Sequence, residues 1–245
     1  MPAVPTLASY KSSLSSPIDS FLEDHIVQSA FQRIAIEGED AGHFAVHNDS
    51  LLTQFHLIGK HRRHGTLLLA KIRHDCNVRA AFVPTCDEFF LSHAVEDYAK
   101  LEKQACFFVE ADATWPAVNA AVHHRPAIAA DADAFAQMCG DFIDRYAERI
   151  ANNELHAGFI GDELVALGVI ERSALFPGQA SIGMFTRESR RREAIGTSTI
   201  VYLRRVCHAE GKRPIAGCWY YNDLSRKTLQ AAGMTTPTRL LRFEW

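Results

Sequence analysis

The sequence has no apolar run near the roughly 18 residues that a membrane span needs. Its start, MPAVPTLASYKSSLSSP, lacks an apolar segment of signal-peptide length. The expectation is a cytoplasmic protein with no membrane partner. The six cysteines, Cys76, Cys86, Cys106, Cys139, Cys207 and Cys218, contain no Cys-x-x-Cys pair and sit mostly among apolar residues, so they read as reduced core residues. Histidines are plentiful, but His61 and His64 lack the further ligands of a closed zinc site, and no metal is expected. Positive charge is not in excess: 26 Lys and Arg stand against 29 Asp and Glu, for a net charge of −3. That balance disfavours a general nucleic-acid binder, although Lys60 to Arg63 and Arg190 to Arg192 can make local anion sites. Two common phosphate loops are also missing, the Walker pattern Gly-x4-Gly-Lys-Ser/Thr and the dinucleotide pattern Gly-x-Gly-x-x-Gly.

What remains is an ordinary globular composition, 47% hydrophobic and 22% charged over 245 residues, enough for one large or two modest domains. Residues 1–17, rich in Ser and Pro, read as an extended, flexible arm. Apolar residues at three- and four-residue intervals from Ile18 to Ile34 predict a helix, with Gly38 and Gly42 bracketing its end. A strand over Phe44 to Leu57 is interrupted at Asn48-Asp49. A helix over Gly65 to His74, a strand over Val78 to Pro84, a helix over Asp87 to Lys100 and a strand over Cys106 to Glu110 complete a first half, 18–112. Trp115-Pro116 and the alanine-rich stretch to His124 form a connector, 113–124. The second half, 125–245, opens on a short strand at Arg125 to Ala129. Asp131 is placed to cap one long helix running to Ile150, with Asn152-Asn153 ending it. Leu155 to Ile160 and Leu164 to Glu171 then read as a hairpin about Gly161-Asp162.

The chain is organised around Ser181 to Met234, which reads as strand, basic turn, amphipathic helix, strand and second helix. Its first strand, ending at Thr186, leads into Arg187-Glu188-Ser189-Arg190-Arg191-Arg192-Glu193-Ala194-Ile195-Gly196-Thr197. Small residues at Ala194, Gly196 and Thr197 let a phosphate approach the backbone, and the amides of the following helix would point at it. Asn222-Asp223-Leu224-Ser225 follows 26 residues after Gly196, and then Ala232-Gly233-Met234. A final strand covers Thr238 to Trp245.

Arg191-x-x-Ala194-x-Gly196, followed at this distance by Asn222, resembles the GNAT acyltransferase superfamily. Its pyrophosphate loop is written Gln/Arg-x-x-Gly-x-Gly/Ala, and its next strand ends in an Asn that opens a helix. The resemblance covers about Arg125 to Trp245 and implies a mixed α/β GNAT fold in that half. By the same resemblance, Arg191, Arg192, Glu193, Ala194, Ile195, Gly196 and Thr197, with Asn222 and Ser225, would hold acetyl-CoA. Backbone amides of Met184, Phe185 and Thr186 would hold its pantetheine arm and thioester. Two positions depart from the pattern: Ala194 replaces the first Gly, at a cost of about 1–2 kcal/mol if its φ is positive. Leu229 stands where many members carry the Tyr that protonates the thiolate. The first half repeats the order of elements, with Lys60-His61-Arg62-Arg63-His64-Gly65-Thr66 over Arg191 to Thr197 and Pro84 to Asp87 over Tyr220 to Asn222. It reads as a degenerate GNAT-like copy that packs on the second half and binds no cofactor.

Acyl transfer to an amine needs a bound thioester, a neutral amine and preorganised donors for the developing negative charge. A lysine-type amine, with a pKa of about 10.4, must lose a proton. The strand Ala180 to Phe185 carries no carboxylate, which leaves Glu171, Asp141 and His156 as candidate bases. Tyr220 and Tyr221 are candidate proton donors in place of Leu229. A thiolate is a tolerable leaving group without one. The reading is an acetyl-CoA-dependent N-acetyltransferase acting by direct transfer on a small-molecule or peptide amine, with a homodimer allowed for. The alternative is a GNAT-like acyl-CoA or protein-binding module without turnover.

Overall fold

The computed structural model describes residues 6–111 and 115–245. Expectations placed on residues 1–5 of the arm and on 112–114 at the connector lie outside the described residues. Contacts divide the chain into two units: Met1–Phe107 with Trp219–Tyr221 and Pro237–Trp245, and Phe108–Cys218 with Asn222–Thr236.

The first unit begins with helices α1 (Leu7–Ser13) and α2 (Ser20–Val27). The extended arm expected over 1–17 is therefore helical from Leu7, because Tyr10 has a fully buried place to go. Asp19 starts α2 by accepting a hydrogen bond from the Leu22 amide at 3.2 Å. The long helix expected through Ile34 stops at Val27. The residues beyond it form strand β1 (Ala30–Ile36), hydrogen-bonded to β2 (Glu39–His47) through a turn at Glu37 and Gly38, whose φ angles are 53° and 82°. Partnering by β2 overrides the helical spacing.

A second positive-φ turn, at Asn48 (46°) and Asp49 (60°), joins β2 to β3 (Leu51–Leu57). Helix α3 (Gly65–Asp75), strand β4 (Ala80–Pro84), helix α4 (Glu88–Ala94) and strand β5 (Lys100–Glu110) follow. The helix expected to Lys100 ends at Ala94 and the strand expected from Cys106 starts at Lys100. Strand order in this unit is β1-β2-β3-β4, then residues 237–244 of the chain's last strand, then β5. Phe55, Phe90 and Phe243 are fully buried in its core. Each such side chain contributes about 2–3 kcal/mol over an exposed one.

The second unit carries β6 (His123–Pro126), α5 (Ala132–Cys139), α6 (Tyr146–Ala151), β7 (Leu155–Ile160), β8 (Glu163–Arg172), β9 (Gln179–Thr186), α7 (Ile195–Ala209), β10 (Arg213–Trp219), α8 (Asp223–Ala231) and the start of β11 (Met234–Glu244). Strand order is β10-β9-β8-β7-β6. The single helix expected from Asp131 to Ile150 is broken. Gly140 and Arg145 both take φ of 53°, which no α-helix accommodates, and a short 3-10 turn at Gly140–Phe142 lies between α5 and α6. Asp131 does not cap α5 with its side chain. Its carboxylate instead takes two bonds from Arg125 at 2.7 and 2.8 Å and one from the Ile128 amide at 2.8 Å.

Candidate cofactor site in the second unit

The site grows out of a split between two parallel strands. β9 and β10 are in register only at Arg213–Gln179, Pro214–Ala180 and Ile215–Ser181. On its other side β9 stays paired to β8 up to Ala166–Thr186. From Ile182 onward β9 therefore has one edge of backbone not tied to β10, and Met184, Phe185 and Thr186 lie on it, half-buried. Thr186 Oγ1 donates to Met184 Sδ at 3.7 Å, and the Phe185 ring sits 5.4 Å from that of Phe142 and 5.9 Å from the Arg191 guanidinium.

Beyond Thr186 the chain makes a 3-10 turn at Glu188–Arg190 and enters α7. The arginines here are largely committed to neighbouring acids: Arg187 and Arg190 meet Glu163 at 3.6 and 2.7 Å, Arg190 also meets Glu193 at 3.0 Å, and Arg191 meets Glu188 at 3.0 Å. Arg192 is exposed and has no ion pair among the described residues. It takes φ of 70°, and Ala194, directly before α7, takes 57°. Ala194 thus occupies the left-handed region that a glycine would take without strain. Gly196 has no such φ. Its role is space, since a Cβ there would lie 3.1 Å from Met184 Sδ, Met184 Cε and Thr228 Cγ2. The amides of Ile195, Gly196 and Thr197 open α7 and have no carbonyl one turn back to receive them, so they can serve an anion.

A clamp that the sequence did not reveal fixes this turn. Asn119 donates from Nδ2 to the Glu193 carbonyl at 2.9 Å, its amide donates to Ser198 Oγ at 2.8 Å, and Ser198 Oγ donates to the Ala194 carbonyl at 3.0 Å. Asn119 lies in an alanine-rich stretch with no motif to flag it. Arg204 of α7 is likewise buried (0% exposed). It donates to Glu110 Oε1 at 2.8 Å and to the Ala232 carbonyl at 2.6 Å, and stacks 4.7 Å from Trp115. That network ties α7 to the turn at Gly233, whose φ is 82°.

The remaining sequence candidates are spread out. Asn222 caps α8, accepting from the Ser225 amide at 3.0 Å, and Leu229 points into the core at 3% exposure. Glu171 pairs with Ser181 across β8 and β9, and its carboxylate accepts from Arg149 at 2.9 Å, a guanidinium that also holds Glu154. That register places Glu171 three residues along from Gly168–Met184, about 10 Å of strand. His156 is buried, bonded through Nδ1 to the Tyr202 hydroxyl at 3.1 Å, and burial pushes its pKa down to about 4. Asp141 is exposed in the 3-10 turn. Tyr220 and Tyr221 fall in the first unit, where the Tyr220 amide donates to the Gln104 carbonyl and Lys103 lies 5.0 Å over the Tyr220 ring. None of the six cysteines forms a disulfide, and burial pushes the Cys86, Cys139 and Cys207 thiols up to about 12, which makes them poor nucleophiles.

Among the described residues no helix is long and apolar enough to cross a membrane, and no group of three His, Cys, Asp or Glu is placed to hold a metal ion. The sequence model of a GNAT acetyltransferase domain matches residues 4–111, the half that the motifs had marked as the degenerate copy. No curated protein matches the chain by sequence. Among solved structures, an acetyltransferase from the GNAT family of Colwellia psychrerythraea is similar over 100% of this chain and 98% of its own, with a TM-score of 0.86 at 18% identity. A GCN5-related N-acetyltransferase from Sphaerobacter thermophilus is similar over 86% and 78%, with a TM-score of 0.63 at 14% identity. A tandem GNAT protein from the clavulanic acid biosynthesis pathway is similar over 97% and 91%, with a TM-score of 0.62 at 14% identity.

Proposed function

For a chain that has the GNAT fold and whose residues 4–111 match the model of a GNAT acetyltransferase domain, we propose that the second unit binds a CoA thioester and passes its acyl group, most simply acetyl, directly to an amine. The observation that carries the reading is the split between β9 and β10, with the Arg191 to Thr197 turn and the start of α7 at the end of its free edge. Gly196 supports the fit, because a side chain there would fill the space beside Met184 and Thr228.

In this reading the first-turn amides of α7 and the unpaired Arg192 hold the phosphates, and the β9 backbone at Met184 to Thr186 holds the pantetheine arm. Ala194, Ile195 and Thr197 line the turn, Glu193 is held back by Arg190 and Asn119, and Asn222 and Ser225 close the far side from α8. Bound acetyl-CoA supplies the activated acyl group. Glu171 is the chain's candidate for taking the proton of the amine, through water given its distance along the strand. High thiol pKa values argue for direct transfer without a cysteine carrier.

A second reading, ligand binding without turnover, has its own support in the apolar, buried Leu229 and in the ion pair that occupies Glu171. Titration calorimetry with acetyl-CoA tests the shared part of both. One site per chain, strongly weakened by Gly196→Asp, is expected, and an unchanged affinity in that variant would remove the turn from the site.

A further inference from the structure

The first unit contains a split of the same kind, and it is filled. β3 and β4 run parallel in register only at Leu51–Ala80 and Leu52–Ala81. Past that point Gln54 and His56 of β3 lie to one side, and Cys86 and Asp87, which follow β4, to the other. Into this space goes Tyr10 of α1, 0% exposed, with its ring 5.8 Å from His56 and 6.0 Å from His43 and its hydroxyl under the electrostatic influence of Asp87 and Cys86. The rest of α1 is held by polar ties. Thr6 Oγ1 bonds His43 Nδ1, Ser9 Oγ bonds His56 Nε2 at 3.1 Å, and beyond the helix the Ser15 amide donates to the Cys86 carbonyl at 3.0 Å.

The start of α3 is closed as well. A side chain on Gly65 would collide with the His93 ring, and His93 Nδ1 bonds Thr66 Oγ1 at 3.0 Å. In the second unit the atoms nearest to a Cβ on the corresponding Gly196 belong to Met184 and Thr228, at 3.1 Å.

Yet Tyr10 is an imperfect occupant. The Tyr10 hydroxyl, Gln54 Nε2 and Asp87 Oδ2 are all buried; the Gln54 side chain comes within loose hydrogen-bonding reach of the Tyr10 hydroxyl, but none of the three atoms makes a well-formed bond. Asp87 is 3% exposed and Gln54 0% exposed. Gln54 Oε1 is bonded to His43 Nε2 at 3.2 Å and Asp87 Oδ1 accepts from the Phe90 amide at 3.0 Å, so one polar atom of each side chain is left over, and buried polar atoms are almost always satisfied: the space has more polar capacity than the tyrosine meets.

We propose that α1 is an intrachain plug. It occupies the split of the first unit through Tyr10 and, together with His93, keeps out an extended amide-bearing ligand of the kind that the second unit is read to take. The proposal rests on the reading of the second unit for the class of ligand, and on the first unit alone for the plug. Tyr10 is not part of the buried cluster that holds Phe55 and Phe90.

Calorimetry on the full chain with CoA as the probe tests this. Tyr10→Ala/His93→Ala opens the first unit, and Gly196→Asp disables the second. The expected stoichiometries are one for the wild type, two for the opened chain, none for Gly196→Asp and one for the opened chain carrying Gly196→Asp. One site in both the wild type and the opened chain overturns the plug and leaves the second-unit reading standing, and no binding by either overturns both. A wild type that binds nothing, with an opened chain that binds one, overturns the second-unit reading and keeps the plug. Thermal melts check that each variant folds. If Tyr10→Ala does not, Thr6→Ala/Ser9→Ala/His93→Ala cuts the ties while leaving the Tyr10 ring in place. It is expected to show the additional site at lower affinity, and no additional site there overturns the proposal.

Discussion

Gly196 and Met184 stand so close that a Cβ on the glycine would come within 3.1 Å of both the sulfur and the terminal methyl of the methionine. The glycine is required by the neighbour and not by its backbone angle. Gly196→Ala should therefore fold, since Met184 is flexible and can give by a few tenths of an ångström. It should weaken CoA binding about tenfold as the methionine swings toward the free edge of β9, worth about 1.4 kcal/mol. Gly196→Ala/Met184→Ala should regain most of that loss in calorimetry.

Ala194 makes the opposite case. Its φ of 57° is a conformation in which alanine is strained, so Ala194→Gly is expected to stabilise the chain by about 1 kcal/mol. The check is the denaturation midpoint at constant m-value. A loss of stability would show that the flexibility gained by the unfolded chain outweighs the strain removed.

Asp87 gives the clearest pH dependence. Burial pushes its carboxyl up to about 7, well above the unfolded value, so its contribution to stability is fully present below about pH 4 and is lost as the pH rises to about 7. Asp87→Asn keeps an oxygen for the Phe90 amide, which the carboxylate now caps at 3.0 Å. The variant should be more stable than the wild type at pH 8 by a few kcal/mol, with the gap closing toward pH 4. His56 shifts the other way, down to about 4, but it is common to both proteins and drops out of the difference.

Proton handling is tested by a pH profile. With Leu229 buried where a proton donor would be needed, kcat/KM is expected to rise with pH as the amine or its base deprotonates, and then to level without a falling limb below about pH 9. Tyr220→Phe and Tyr221→Phe should each cost less than about threefold against the 100- to 10,000-fold of a true general acid. Glu171→Gln should lower kcat by about 100-fold if Glu171 relays the proton.

What could be read in the sequence followed local chemistry. The Gly161-Asp162 hairpin, the Asn48-Asp49 turn and the Asn222 cap are each set by a few adjacent residues, and they stand where the turn and cap residues put them. The loop at Arg191 to Thr197 was legible as strand, turn and helix start for the same reason. Failures came where a distant partner decides. Ala30 to Ile36 has helical spacing but is claimed by β2, and Leu7 to Ser13 looked like an arm because nothing local announces a pocket for Tyr10. Asp131 lost its capping role to Arg125, and Asn119 reaches Glu193 and Arg204 reaches Glu110, 74 and 94 residues away in sequence.

Turnover at the second unit is measured most directly as release of free CoA thiol from acetyl-CoA across a panel of primary amines, for the wild type and Gly196→Asp. Amine-dependent release by the wild type, reduced at least tenfold in kcat/KM by Gly196→Asp, is the predicted result. Acetyl-CoA bound at one site per chain with no amine-dependent release over that panel would contradict it and leave a binding module.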